Sequence, residues 1–453
     1  MSCLGSARVR ENAPQKISEG GPRDIISTWM RSLPVGWLFF GPLRTVLSPS
    51  GIDINIDDFV ISDDRDQDSE DLDNPEEDHE QADEDSFLVD TTNLSLYTLY
   101  WITKETHIHD EERNGLIWSR HVATFSKVNS NLNKLIRWRR EFYPVRGVEA
   151  DEPPVLDSVI LSIVLLSEYL LYACEKIFSK QGELTLEWEL DNALRWRLLC
   201  AGWCPGEIAI LEKKMIHSTS TYLLGTWDRL FLTKDHTKCT VEICLANNID
   251  ESIYETKHVS PECKCYHQGE DDGTAATIAC ILESGSIPVI QVLASGEDTA
   301  ISVRKSTDAI YVAISHVWSD GLGNPTNNTL PDCQLRKLQD YVNGLYPERS
   351  QPVCFWIDTI CVPREMNLRK RAIQLMADTY RGSDKVLVVD SWLRQTGFTG
   401  HPSLDLLIVK ACTWGDRLWT LQESILAKRD QLHFQTDDGP VAERDLYKTE
   451  DMR

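Results

Sequence analysis

Two rhythms of apolar residues divide the chain. From 156 to 178 "LDSVILSIVLLSEYLLYACEKIF" repeats apolar positions at spacings of three and four, and from 186 to 215 "LEWELDNALRWRLLCAGWCPGEIAILEKKM" does the same, broken at Pro205. That period lines one face of a helix with apolar side chains, and proline interrupts it. From about 307 the rhythm changes to short β-branched runs alternating with helical stretches. "AIYVAISHVW", "PVCFWIDTIC", "KVLVVDSW" and "QLHFQ" read as strands. "CQLRKLQDYVNGL", "NLRKRAIQLMADTYRGS", "LDLLIVKACTW" and "LWTLQESIL" read as helices. Such alternation predicts right-handed crossovers and an α/β fold with a parallel sheet, whose ligand site lies at the carboxyl ends of the strands.

This patterning predicts three regions. Residues 1–94 are punctuated by Pro and Gly, hold an aromatic patch, "VGWLFFGP", and then turn acidic; they read as largely disordered. Residues 95–300 read as mainly helical and rich in Cys and His, and residues 301–453 as the α/β domain. The net charge of −25 is concentrated: residues 62–86 hold 14 carboxylates against one arginine. A segment with almost no apolar residues cannot repay its ordering entropy, so it reads as a solvated tether. The acidity argues against nonspecific nucleic-acid binding. No signal peptide is expected at the amino end. Glu168 and Glu175 interrupt the most apolar run, which makes it a buried helix and not a membrane span. Thirteen cysteines without a secretory signal point to reduced thiols or metal ligands and a cytoplasmic location.

Polar and aromatic groups gather at three successive predicted strand ends. The first strand runs into Ser315, His316, Trp318 and Asp320, followed by Gly321 and Gly323; the second carries Trp356 and Asp358 near its exit; the third ends at Asp390. Convergence of this kind is what a ligand site requires. Each residue also has a plain structural reading: His316 as a satisfied core histidine, Asp358 and Asp390 as helix caps, the glycines as a turn. "GLG" lacks the third glycine of a dinucleotide fingerprint, and no lysine-bearing phosphate loop is present. A Cys/His hydrolase built from Cys361 and His316 has no local signal of an activated thiol. Near the carboxyl end, "RLWTLQES" sets Trp419 and Glu423 four residues apart, on one helical face, with Arg417 just ahead.

His236, Cys239 and Cys244 precede His258, Cys263 and Cys265, with thirteen residues between the two groups. This resembles a tetrahedral zinc site, with Cys239, Cys244, Cys263 and Cys265 as the expected ligands and Cys204 as a further candidate. The other reading is a set of small buried thiols. A zinc ion held this way is structural.

"YVAISHVWSDGLGNP", "FWIDTICVP" followed by "RKRAIQLMADTY", and "RLWTLQES" are, in order and spacing, similar to the three blocks of the fungal heterokaryon incompatibility (HET) domain, over about residues 308–435. The resemblance implies a role in nonself recognition and regulated cell death. It also implies a likeness to TIR domains, with a flavodoxin-like parallel sheet, many of which hydrolyse NAD+ with a helical glutamate in a "WCLxEL" pattern. Glu423 matches that carboxylate, although Ser424 stands where the pattern has leucine. On this reading Ser315, His316 and Asp320 line the phosphate and ribose side. Trp318 or Trp356 offers a stacking face, Trp419 walls the carboxylate, Arg417 meets a phosphate, and Asp358 belongs to the same pocket. The alternative is a noncatalytic signalling adaptor. Self-association and a signalling or incompatibility partner are expected in either case, without nucleic acid or membrane insertion. Relatives in that family typically continue further, so a short or truncated carboxyl end is expected.

Overall fold

A computed structural model describes residues 8–10, 35–54, 60–61, 86–89, 92–105, 110–142, 155–180, 182–186, 188, 192–215, 217–229, 234–295, 298–417, 423–428 and 430–447. Nearly all of the acidic tract, residues 62–85, lies outside them, as does Trp419. The chain divides into two units, Met1–Cys200 with Glu212–Gly225, and Ala201–Leu211 with Thr226–Arg453.

The first unit is built mostly from helices. Val35–Leu47, which contains the aromatic patch, Thr92–Glu105, Glu111–Phe142 and Val155–Phe178 carry Leu43, Leu47, Trp101, Trp118, Phe125, Leu166 and Leu170 into one apolar cluster. The apolar run 158–178 is such a packed helix. Its Glu168 accepts hydrogen bonds from the backbone N–H groups of Ser218 and Thr219 at 2.9 and 2.8 Å and from Trp188 Nε1 at 3.1 Å. A buried carboxylate is tolerated there because donors replace its water. Arg139 likewise grips buried Asp157 with two bonds of 2.6 and 2.7 Å. Among the described residues, no helix is long and apolar enough to cross a membrane.

The second unit is mixed α/β around a seven-stranded sheet. Its strands are β1 (Pro288–Ser295), β2 (Asp298–Lys305), β3 (Tyr311–His316), β4 (Cys354–Trp356), β5 (Lys385–Val389), β6 (Leu432–Gln435) and β7 (Pro440–Ala442). Their order across the sheet is β7-β6-β5-β3-β4-β1-β2. The four strands read from sequence, β3 to β6, are mutually parallel: Val386 pairs with Ala313, Val312 with Phe355 and Leu387 with His433. Residues 311–315 of β3 are all buried, as a strand covered on both faces requires.

The expectation of a wholly parallel sheet needs correction at both edges. β7 joins β6 antiparallel, and the β1–β2 hairpin joins β4 antiparallel through a single register pair, Ile290 with Phe355. Gln339, from helix Asp332–Gly344, bridges this short seam: its Oε1 accepts from Val292 N at 2.8 Å and its Nε2 donates to the Val353 carbonyl at 2.9 Å. One side chain thus satisfies backbone groups that the brief ladder leaves over. β1 and the start of β2 fall where the sequence predicts mainly helix.

The parallel strands change direction of winding at β3. β4 lies on one side of it, while β5 and then β6 lie on the other. In open α/β sheets that reversal opens a crevice beyond the carboxyl ends of the strands. Helices Asp332–Gly344 and Met366–Gly382 connect the strands; the second starts on Glu365, whose carboxylate accepts from Asn367 N and Leu368 N.

Candidate functional site

The carboxyl end of β3 delivers Ser315 and His316 to this crevice, and each begins a hydrogen-bonded chain. Buried Ser315 accepts a bond from Trp414 Nε1 at 2.6 Å and donates to Glu423 Oε2. His316 Nε2 pairs with Asp358 Oδ1 at 2.8 Å, and Trp318 Nε1 donates to the other carboxylate oxygen, also at 2.8 Å. The His316 side chain is 3% exposed and that of Asp358 31%, so the pair opens to solvent on the aspartate side. Residues far apart in sequence, 315–318, 358, 414 and 423, meet because β3 and β4 are neighbours and the segment after helix Pro402–Ala411 returns to the end of β3.

The charges in the crevice are tuned by burial. Burial pushes the Glu423 carboxyl up to about 7, and the neighbouring Asp358 charge adds to the shift against bonds from Ser315 and Tyr380. Burial also acts to raise Asp358, but His316 and the Trp318 bond outweigh it and hold this carboxyl below its usual range. One carboxylate is therefore ionised throughout the neutral range while the other titrates within it. Tyr380, fully buried, is pushed far above the normal phenol range by burial and by Glu423, so it is a proton donor only.

Asp320 and Asp390 form a second, deeper pair of carboxyls. Asp320 meets Lys234 at 3.2 Å and accepts from Ser391 N at 2.7 Å. Asp390 caps helix Leu393–Thr396, accepting from Trp392 N at 2.9 Å, and also holds Trp414 N at 3.0 Å. Burial first and Asp320 second raise Asp390. The capping reading of Asp390 holds. Asp358 instead turns its oxygens to His316 and Trp318.

Trp356 is buried in the core, edge-on to Tyr380 with ring centroids 5.7 Å apart. Arg417 is half-buried just after the 414–416 turn, and residues 423–426 are helical. The glycines serve packing. Gly321 takes φ +101°, and a Cβ on Gly323 would run into the Trp318 ring at 2.5 Å. Cys361 is fully buried and its thiol is pushed up to about 12 by burial, which leaves the Cys/His hydrolase without a nucleophile. Trp414 and Tyr380 are the members the sequence reading does not single out. Their signal is general: a buried indole N–H or phenol needs a partner.

The expected zinc ligands divide between two groups. Cys204, His236, Cys239 and Cys244 bring ligand atoms within 4.8 Å of one another, and so do His258, Cys263, Cys265 and Cys333. Cys239 and Cys244 thus belong to one group, Cys263 and Cys265 to the other, and both groups could hold a metal such as zinc. Cys333, 68 residues beyond Cys265, escapes a search by spacing.

The class defined so far is a mixed α/β protein with an acidic and aromatic cluster at the ends of its parallel strands. Residues 311–403, about a fifth of the chain, match the family model described as "Heterokaryon incompatibility protein (HET)". This supports a heterokaryon incompatibility domain in the stretch that runs from β3 past β5. The first two blocks of the resemblance fall within the match and the third, 417–424, beyond it. No curated protein and no solved structure matches the chain.

Proposed function

We propose that the strand-end crevice cleaves the N-glycosidic bond of NAD+, with Glu423 as the catalytic carboxylate, and that this activity serves nonself recognition and regulated cell death. The observation that carries the reading is the position of Glu423. A carboxylate from a helical segment is held by Ser315 at the end of the central strand, beside the reversal of winding, where burial pushes it up to about 7. The parallel order β4-β3-β5-β6 is also the order of the first four strands of a flavodoxin-like sheet, which favours the likeness to TIR domains.

The chemistry suits one carboxylate. When the bond between ribose C1′ and the nicotinamide nitrogen breaks, its electron pair goes to the ring, which departs neutral and needs no general acid. The ribosyl cation left behind is oxocarbenium-like. Ordinary glycoside hydrolysis requires a second carboxyl group to protonate its leaving oxygen. Ionised Glu423 stabilises the cation and orients the ribose hydroxyls, water adds to C1′, and the carboxylate accepts the proton released. Asp358, kept ionised by His316 and Trp318, adds negative potential.

Purified protein incubated with NAD+ is expected to release nicotinamide, and Glu423→Gln to lower the rate about a thousandfold or more, roughly 4 kcal/mol of transition-state stabilisation. Equal rates for the two proteins would remove Glu423 from the mechanism. No release by folded wild-type protein would favour the adaptor reading.

A further inference from the structure

Residues 234–273 contain no buried hydrophobic side chain. Val241, Ile243, Ile253, Val259 and Tyr266 are all exposed, Tyr266 by 86%. Between Lys234 and helix Asp272–Glu283 the only regular element is the two-residue strand His267–Gln268. A loop this long in a compact domain needs something other than an apolar core to hold it. The same stretch supplies six of the eight residues in the two Cys/His groups.

The spacing of the ligand atoms is that of metal tetrahedra. Zinc bonds of about 2.3 Å to sulfur and 2.0–2.1 Å to nitrogen set tetrahedron edges of roughly 3.8 Å between two sulfurs and 3.6 Å between sulfur and nitrogen. Cys239 and Cys244 Sγ stand 3.7 Å apart and lie 3.6 and 3.7 Å from His236 Nδ1. Cys265 and Cys333 Sγ lie 3.4 and 3.6 Å from His258 Nδ1. Backbone amides point at these sulfurs: Leu245 N at Cys239, Cys333 N at Cys265 and Val259 N at Cys333, at 3.2–3.3 Å. Such N–H donors stabilise thiolate ligands. The first group also has a built-in close approach. A Cβ on Gly206 would strike the backbone of Ile243 and Cys244 at 2.3–2.4 Å, so only glycine lets the Cys244 segment lie against the start of the helix that follows Cys204.

We propose that each group binds one zinc ion in a structural Cys3His site, and that the two ions together hold the outer wall of the strand-end crevice. Between the two groups, Tyr254 donates to the Trp318 carbonyl at 2.6 Å and accepts from Gly323 N at 3.1 Å, Thr256 donates to the Gly323 carbonyl at 2.7 Å, and Lys257 N donates to the Gly321 carbonyl at 3.0 Å. Lys234, two residues before His236, reaches Asp320. The loop that aims Trp318 at Asp358 is therefore backed by a segment that the metals keep in place. With four protein ligands each, neither ion has an open position for substrate, so their role is to position.

Metal content tests this separately from any activity on NAD+. Full-length protein prepared with zinc and without chelator is expected to carry two zinc ions per chain by native mass spectrometry. Cys204→Ser and Cys333→Ser are each expected to carry one. Cobalt(II) replacement in the wild-type chain, which needs no variant to fold, is expected to give thiolate-to-metal absorption and tetrahedral bands that saturate at two equivalents. Fewer than one zinc per chain with no cobalt–thiolate band would overturn the proposal. Saturation at one equivalent would overturn it for whichever group tolerates its serine substitution.

Discussion

The strand-end crevice has two sides held by different physics. On the sheet side, Ser315 and His316 sit on a strand whose neighbours Val312, Ala313 and Ile314 are buried almost completely, so burial positions them. On the loop side, residues 234–273 bury no apolar side chain, and on the zinc proposal the eight Cys and His residues take the place of a core. On that proposal the site joins a scaffold stabilised by the hydrophobic effect to a wall stabilised by coordination, with each side open to separate disruption.

Chelation should separate the two sides most strongly. Structural zinc contributes on the order of 10 kcal/mol or more of apparent binding free energy in small modules. Treatment with a strong chelator is expected to expose 234–268 to limited proteolysis while the sheet stays resistant; equal resistance before and after chelation would show that the segment does not depend on metal. Next in size is the converse change. Ile314→Ala on β3 is expected to cost about 2–5 kcal/mol in denaturant unfolding and to leave zinc content at the wild-type value. Loss of zinc in that variant would mean the two sides are not independent.

Two smaller effects act within the sheet side. Glu423 has its folded pKa raised from 4.5 to about 7, so between those values the folded chain binds more protons than the unfolded one. Stability attributable to this group is therefore greatest below about pH 4.5, falls as pH rises, and is lost above about 7. Glu423→Gln should accordingly be more stable than wild type at pH 8 by on the order of 1–2 kcal/mol, after allowance for partial exposure, and equal to it near pH 4. A variant less stable at pH 8 would contradict the buried setting of the carboxylate. Trp414→Phe keeps an aromatic ring at the position packed against Phe434 and removes the indole bond to Ser315, with an expected cost of about 1 kcal/mol, or 2–4 °C in melting temperature.

Much of the sheet side was legible in the sequence because its physics is local. Continuous β-branched runs mark β3 and β5, and the residue that ends each strand marks the site: Ser315, His316 and Asp390 are where the pattern puts them. Asp358, two residues beyond the end of β4, is the fourth. The β1–β2 hairpin was hidden because Val289, Ile290, Gln291 and Val292 of β1 are all buried, so no alternation marks the strand, and it follows helical sequence. Tyr380 and Trp414 were hidden for another reason: each lies on or after a helix whose pattern signals only burial, and their partners are remote in the chain. On the loop side, spacing pointed to candidate metal ligands but could not divide them into two groups. That division depends on Cys204 and Cys333, which only the fold brings to the loop.

The most direct measurement is nicotinamide release from NAD+ by zinc-loaded wild-type protein and by Glu423→Gln across pH 5 to 9. The account predicts wild-type turnover that rises with pH through an apparent pKa near 7, as Glu423 ionises, and no such limb in the variant. Wild-type protein that is folded, carries its zinc and releases no nicotinamide at any pH would contradict it, as would a variant with the same rate and the same pH profile.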